Sequence, residues 1–271
     1  MENKIALIAG DGNLPVAIAN RLTDMGTPPV VYSVREKVGD ISKYALEVVN
    51  IVKPDLGFTI KDMKSRGVKQ IIMAGLISKT LAFKPSLFDL TTQKFLASLV
   101  FRDDHSLLGA LVDFLEKSGF EVISYREIIP DLLAKSGFIA GRRPTSDEMT
   151  DAEYGFSVCT KLVPLSFGQT VVVNKRSVVA VEAMEGTDAT LLRAGSLCTG
   201  GTVVKMMRLD QDERYDIPTV GPNTLRNMAQ AKLTCLVLHA GWTLIMDPEE
   251  FRSVAEKEKI AVMGIEQCRS S

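Results

Sequence analysis

Two acidic stretches carry the residues best suited to chemistry. The first is Val181-Glu182-Ala183-Met184-Glu185-Gly186-Thr187-Asp188-Ala189, with three carboxylates at an expected strand-to-helix junction. Hard divalent cations such as Mg²⁺ take carboxylate oxygens and keep waters for a substrate, so this cluster can supply one or two ligands. The competing reading is architectural: Thr187 or Asp188 caps the following helix, and Glu182 pairs with a nearby Arg or Lys. The second stretch is 205–221, KMMRLDQDERYDIPTVG, where Asp210, Asp212, Glu213 and Asp216 crowd together with Arg208 and Arg214. A loop of mixed charge is ordinarily only a solvated loop. This one lies between an expected strand and an expected helix, where strand ends of α/β domains place ligands. Pro218 and Gly221 fix the irregular backbone after it. Asp216, just ahead of Ile217-Pro218, is a candidate metal ligand or general base.

Weaker features accompany these. Gly10-Asp11-Gly12-Asn13-Leu14-Pro15 joins an expected strand to an expected helix. Its glycines would let the backbone approach a ligand, and the free N–H groups at the helix start favour a phosphate. It is equally well a tight strand–helix turn, and Pro15 stands where a dinucleotide fingerprint needs its third glycine. Asp103-Asp104 ahead of His105 suits the positive end of a helix dipole, which is explanation enough on its own. His105 and His239 are far apart in sequence, so a histidine triad or zinc site is not expected. Met63, Met73, Met184, Met206 and Met207 can line an acyl groove, although core packing is the more ordinary use.

The elements that must position these residues alternate. Short apolar runs at 5–9 (IALIA), 29–32 (PVVY), 47–52, 70–74 (QIIMA) and 120–124 read as strands. Helices are expected at 15–25, 58–66, 85–101 and 105–118. Such alternation predicts a parallel sheet covered on both faces, a Rossmann-like domain over residues 1–136. Residues 137–153, GFIAGRRPTSDEMTDAE, are polar and carry Gly and Pro; together with a helix at 152–162 they read as a linker and connecting helix over 137–163. The β-branched runs 170–173 and 177–181, separated by Asn174-Lys175-Arg176, predict a hairpin. Strands at 202–206, 234–238 and 243–246 and helices at 188–193, 223–230 and 248–257 complete a mixed α/β domain over 164–271. The fold class is therefore α/β, with two domains.

Composition narrows the function. Of 271 residues, 46% are hydrophobic and 24% charged, as in ordinary globular proteins, and the formal net charge of -1 gives no basic surface for a nucleic acid. The four cysteines (159, 198, 235, 268) form no CxxC pair, so zinc and disulfide frameworks are not expected, and they read as reduced thiols of a cytoplasmic protein. The opening MENKIALIAGDG reads as strand and loop rather than a signal peptide. No run approaches the roughly 18 apolar residues of a membrane span.

IAGDGNLP, Asp103-Asp104 with Leu107-Leu108, FGQTVVV, VVAVEAMEGTDA with Arg193, and RYDIPTVGPNT occur in an order and spacing that resemble the LpxI family, the UDP-2,3-diacylglucosamine pyrophosphatases of lipid A synthesis. The resemblance runs from about residue 4 to 265. It implies a Rossmann-like domain and an α/β catalytic domain, and hydrolysis of UDP-2,3-diacylglucosamine to UMP and 2,3-diacylglucosamine 1-phosphate with Mg²⁺, or Mn²⁺ in its place. It puts the family's catalytic aspartate on Asp216, with Asp188 beside it. Asp216, Asp188, Glu185 and Asp212 are then the metal ligands. Substrate contacts fall on Gly10, Asp11, Gly12, Asn13, Asp104, Gln169, Glu182, Thr187, Arg193, Lys205, Arg214 and Thr224, with Lys205, Arg193 and Arg214 facing phosphates. The implied partners are the lipid-linked UDP-sugar, a membrane surface met peripherally and a second copy in a homodimer. The implied location is cytoplasmic, at the inner membrane. The sequence departs from the family at Ser166-Phe167, where members often carry an aspartate before Gly-Gln, and at His239, where a glutamate is usual. Another UDP-sugar enzyme, such as a transferase, and a non-catalytic lipid-sugar binder are the rival readings.

Overall fold

The computed structural model describes residues 4–35, 39–51, 55–76, 89–98, 104–162, 165, 168–207 and 212–266. They form two compact units: residues 1–130 with Asp212–Tyr215, and residues 131–211 with 216–271.

In the first unit, β1 (Lys4–Ala9), α1 (Leu14–Asp24), β2 (Val30–Ser33), β3 (Glu47–Asn50), α2 (Leu56–Ser65), β4 (Val68–Ala74), α3 (Leu90–Ala97), α4 (Asp104–Lys117) and β5 (Glu121–Val122) follow in turn. The strands form one sheet in the order β3-β2-β1-β4-β5, parallel throughout. These are the apolar runs of the sequence. Both faces of such a sheet must be covered, and Ala6, Val30, Tyr32, Ile71 and Met73 pack with Val112 and Leu115 of α4 into one buried cluster. The expected helix at 85–101 is described only as α3; its remaining residues lie outside the described ones.

The second unit holds β6 (Gly137–Ala140), α5 (Ser146–Leu162), β7 (Thr170–Asn174), β8 (Ser177–Val181), α6 (Gly186–Leu197), β9 (Thr202–Lys205), β10 (Thr219–Val220), α7 (Pro222–Gln230), β11 (Cys235–His239), β12 (Leu244–Ile245), α8 (Pro248–Lys257) and β13 (Ala261–Ile265). A mixed six-stranded sheet runs β6-β13-β11-β9-β7-β8, and β10 pairs with β12. Strand alternation sorts the side chains between two cores. Val171, Val173, Val204, Cys235 and Val237 pack with Ala152 and Cys159 of α5, whereas Val172, Val203, Leu236 and Leu238 pack with α6, α7 and α8. The hairpin turn forms without glycine. Lys175 and Arg176 take positive φ (51° and 57°), and the buried carboxylate of Asp151 on α5 accepts both their amides at 2.9 and 2.6 Å.

Residues 137–163 are not a linker. Residues 137–140 add an antiparallel edge strand to β13, and α5 covers the sheet. A reciprocal cap starts α5: Thr145 N–H donates to Glu148 and Glu148 N–H to the Thr145 hydroxyl. The same carboxylate takes two bonds from Arg142 (2.8 and 2.6 Å) and one from the hydroxyl of Thr234 (2.6 Å). Burial alone would raise its pKa, but Arg142, Thr234 and the Thr145 amide hold it at about 2. A carboxyl depressed in the folded state contributes stability above its unfolded range and loses it as pH falls toward the folded value. The melting temperature should therefore drop between roughly pH 5 and pH 2, and less steeply in Glu148→Gln. That variant should be less stable at neutral pH by about 2 kcal/mol, since Arg142 is partly solvated. Parallel melting curves across that range would refute the assignment.

Candidate active site

The expected site residues divide between the two units. In the second unit the parallel strands β9, β11 and β13 end on one edge, and Thr170 of antiparallel β7 begins there, opposite Lys205. By strand parity the Lys205 side chain leaves the sheet on the face covered by α6, α7 and α8. It is buried, at 8% exposure, and its ammonium donates to the Thr187 hydroxyl at 2.9 Å. That hydroxyl donates to Glu182 Oε1 at 2.9 Å, and Glu182 Oε2 accepts the backbone N–H of Gln169 at 3.4 Å. One hydrogen-bonded chain thus ties the starts of β7 and α6 to the ends of β8 and β9. Burial lowers the pKa of Lys205, and the charges of Glu182, Asp188 and Asp216 offset only part of that fall. The two aspartates expected to do chemistry therefore both act on the charge of one buried lysine. Asp188 lies in the first turn of α6, where the helix dipole favours its charge.

Other expected residues have specific local partners. Arg193 donates to Glu185 and to the Val181 carbonyl (3.0 Å). Thr224 accepts the Gly221 N–H at 3.3 Å and starts α7. Met184 is fully exposed, whereas Met63, Met73, Met206 and Met207 are core residues. His239 ends β11 on the α5 face, 5% exposed, edge-on to Phe156 at 5.8 Å between ring centroids. Burial lowers its pKa, and its Nδ1 has no hydrogen-bond partner among the described residues. It is a buried core ring. Ser166 and Phe167 lie outside the described residues.

Asp212 and Arg214 belong to the first unit although Asp216, two positions on, belongs to the second. Arg214 grips both Asp212 oxygens (2.9 and 2.6 Å) and Glu116 (2.6 Å), and Tyr215 packs on the first unit's core. Among the described residues no group of three or more His, Cys, Asp or Glu side chains is spaced to hold a metal. Of the four carboxylates expected as metal ligands, Asp212 is held by Arg214 and Glu185 by Arg193, while Asp188 and Asp216 act on the charge of Lys205.

At the strand ends of the first unit, sheet order reverses between β1 and β4, the usual ligand crevice of such folds. Here a backbone bridge joins the loops after the two strands. Asp11 and Leu76 exchange N–H···O bonds of 2.7 and 2.9 Å, and a side chain at Gly10 would meet the Leu76 carbonyl at 2.4 Å. Gly12 has φ +100° ahead of Asn13 and α1. Asp104 opens α4, but its side chain, with Arg102, Asp103 and His105, lies outside what is described. Sequence reasoning missed Arg35, just past β2. Its Nε and Nη1 are buried without hydrogen-bond partners among the described residues, 3.9 Å (Nε) from Asp11. A single arginine after a strand gives no sequence signal.

Among the described residues no helix is long and apolar enough to cross a membrane. The LpxI N-terminal domain family matches residues 4–132 and the LpxI C-terminal domain family residues 135–263. A protein of Caulobacter vibrioides named UDP-2,3-diacylglucosamine pyrophosphatase LpxI is 30% identical over 97% of this chain and 98% of its own length. With both units matched and the two characteristic acidic motifs meeting at Lys205, the chain belongs to the LpxI family.

Proposed function

We propose that this enzyme hydrolyses the pyrophosphate bond of UDP-2,3-diacylglucosamine to UMP and 2,3-diacylglucosamine 1-phosphate, with Mg²⁺ or Mn²⁺ as cofactor. The observation that carries this reading is the end-to-end match to an enzyme of that name. The cluster around Lys205 supports it. In the reaction a water oxygen bonds to one phosphorus, the bridging P–O bond breaks, and the departing phosphate keeps the bridging oxygen. Charge spreads over several oxygens, so catalysis is mostly positioning and neutralisation. Asp216 orients the water and accepts its proton; Asp188 lies on the positive end of α6. A bound metal would polarise a phosphoryl oxygen. Asp188 and Asp216 are the residues to hold it, since Mg²⁺ is commonly bound by one or two carboxylates completed by waters and substrate phosphates. The acyl chains would keep the substrate at a bilayer, so the enzyme would work at the cytoplasmic face of the inner membrane as a peripheral protein, alone or as a homodimer.

The test is incubation with UDP-2,3-diacylglucosamine and Mg²⁺, with mass analysis of the products. UMP and the sugar phosphate are expected. EDTA should abolish turnover and added Mg²⁺ restore it. Release of UDP would identify a transferase, tight binding without turnover a binding protein, and full activity after metal stripping would remove the cofactor.

A further inference from the structure

Lys205 is the buried cation of this acidic cluster. Its ammonium is buried and donates to Thr187, and three carboxylates, Glu182, Asp188 and Asp216, act on its charge. The residue cannot easily withdraw. It is the last residue of β9, held in register between Thr170 of β7 and Leu238 of β11, and Thr187 is itself anchored on Glu182. Glu182 already uses both oxygens, one on Thr187 and one on the Gln169 amide. A Mg²⁺ ion needs oxygens at about 2.1 Å in near-octahedral array. It would have to enter beside a fixed positive charge, in surroundings of low dielectric where like charges repel strongly. A pyrophosphate changes this balance, because it brings negative oxygens that bind a metal and the ammonium together.

We propose that Lys205 is a positioning residue that serves as the resident cation of the cluster, so that the divalent metal enters only in company with the substrate's pyrophosphate. Lys205 holds Asp188 and Asp216 in place while the metal is absent and meets the phosphate oxygens once it arrives. The inference rests on the metal-assisted reading above and deepens it: the free enzyme should have no metal site of its own.

The experiment is a calorimetric titration of Mn²⁺ alone into the full-length protein, its Lys205→Met variant and its Lys205→Arg variant, with circular dichroism confirming each fold. The wild type and Lys205→Arg should show no saturable binding in the micromolar range. Lys205→Met, with one charge fewer among the same carboxylates, should bind at least about tenfold more tightly than wild type, and its melting temperature should rise with Mn²⁺. A role in packing alone predicts no gain of metal binding. Saturation of the wild type by micromolar Mn²⁺ would overturn the proposal, as would a folded Lys205→Met that gains nothing. Should that variant not fold, the wild type and Lys205→Arg decide, because binding by either at micromolar Mn²⁺ is fatal to the idea. The titration contains no substrate, so its outcome is independent of whether UMP is the product.

Discussion

Asp216→Asn should lower kcat by a factor of about 10²–10⁴, the usual cost of losing a general base, with KM little changed. Asparagine is almost isosteric, so the change removes the charge and the proton-accepting oxygen and leaves the volume. Position 216 is well defined for such a test. Pro218 fixes its own φ and biases Ile217 toward an extended conformation, and Ile217 is 5% exposed. Downstream, Thr219–Val220 is tied into β10 against β12. Asp212→Asn is the informative control. Its carboxylate clasps Arg214 within the first unit, so a smaller loss is expected, and it should come with reduced stability. The measurement is steady-state release of UMP by both variants, with circular dichroism to establish folding. A folded Asp216→Asn that turns over at the wild-type rate ends the proposed role of that carboxylate.

The contrast between Asp212 and Asp216 also marks how far the sequence could be read. Apolar strand runs separated by turn residues made both sheets legible, because burial between helix layers demands such runs. The hairpin over β7 and β8 was legible for the same reason. Composition misled at 137–140. Gly137-Phe138-Ile139-Ala140 is short, opens on a glycine at φ +85° and runs into Gly141-Arg142-Arg143, yet pairing with β13 makes it an edge strand. The cap that anchors α5, Thr145 with Glu148, is a pattern the sequence does display. Proximity in sequence misled at 212–216, where the chain changes units within five residues. Packing of Tyr215 on one core decides that, and no local pattern reports it. The Lys205 cluster was half legible. The acidic motifs announced themselves, but only strand register and side-chain parity place the lysine among them.

Gly168→Ala should reduce kcat about 100-fold, the scale set by displacing a positioned group by about 1 Å. A Cβ at Gly168 would lie 2.0 Å from the Glu182 carbonyl oxygen and 2.7 Å from its carbon, and backbone atoms cannot swing aside as a flexible side chain can. The segment entering β7 and the end of β8 must separate. They are joined there by Glu182 N–H to the Thr170 carbonyl (2.9 Å) and by Gln169 N–H to the Glu182 carboxylate (3.4 Å). A shift of Glu182 passes to Thr187 and from there to Lys205, so the charge arrangement that Asp188 and Asp216 depend on is disturbed without replacing any charged residue. Gly155→Ala separates this effect from simple overpacking. On α5 a new methyl would meet Val204 at 2.7 Å and Val173 at 3.0 Å, both side-chain contacts on the opposite face of the same sheet from Lys205. Overpacking there should cost about 1–3 kcal/mol of stability while kcat stays near wild type. Thermal melts and steady-state rates on the two variants make the comparison. If Gly168→Ala keeps full turnover, or if Gly155→Ala loses as much, the hydrogen-bonded chain from Gln169 to Lys205 is not what holds the active carboxylates in place.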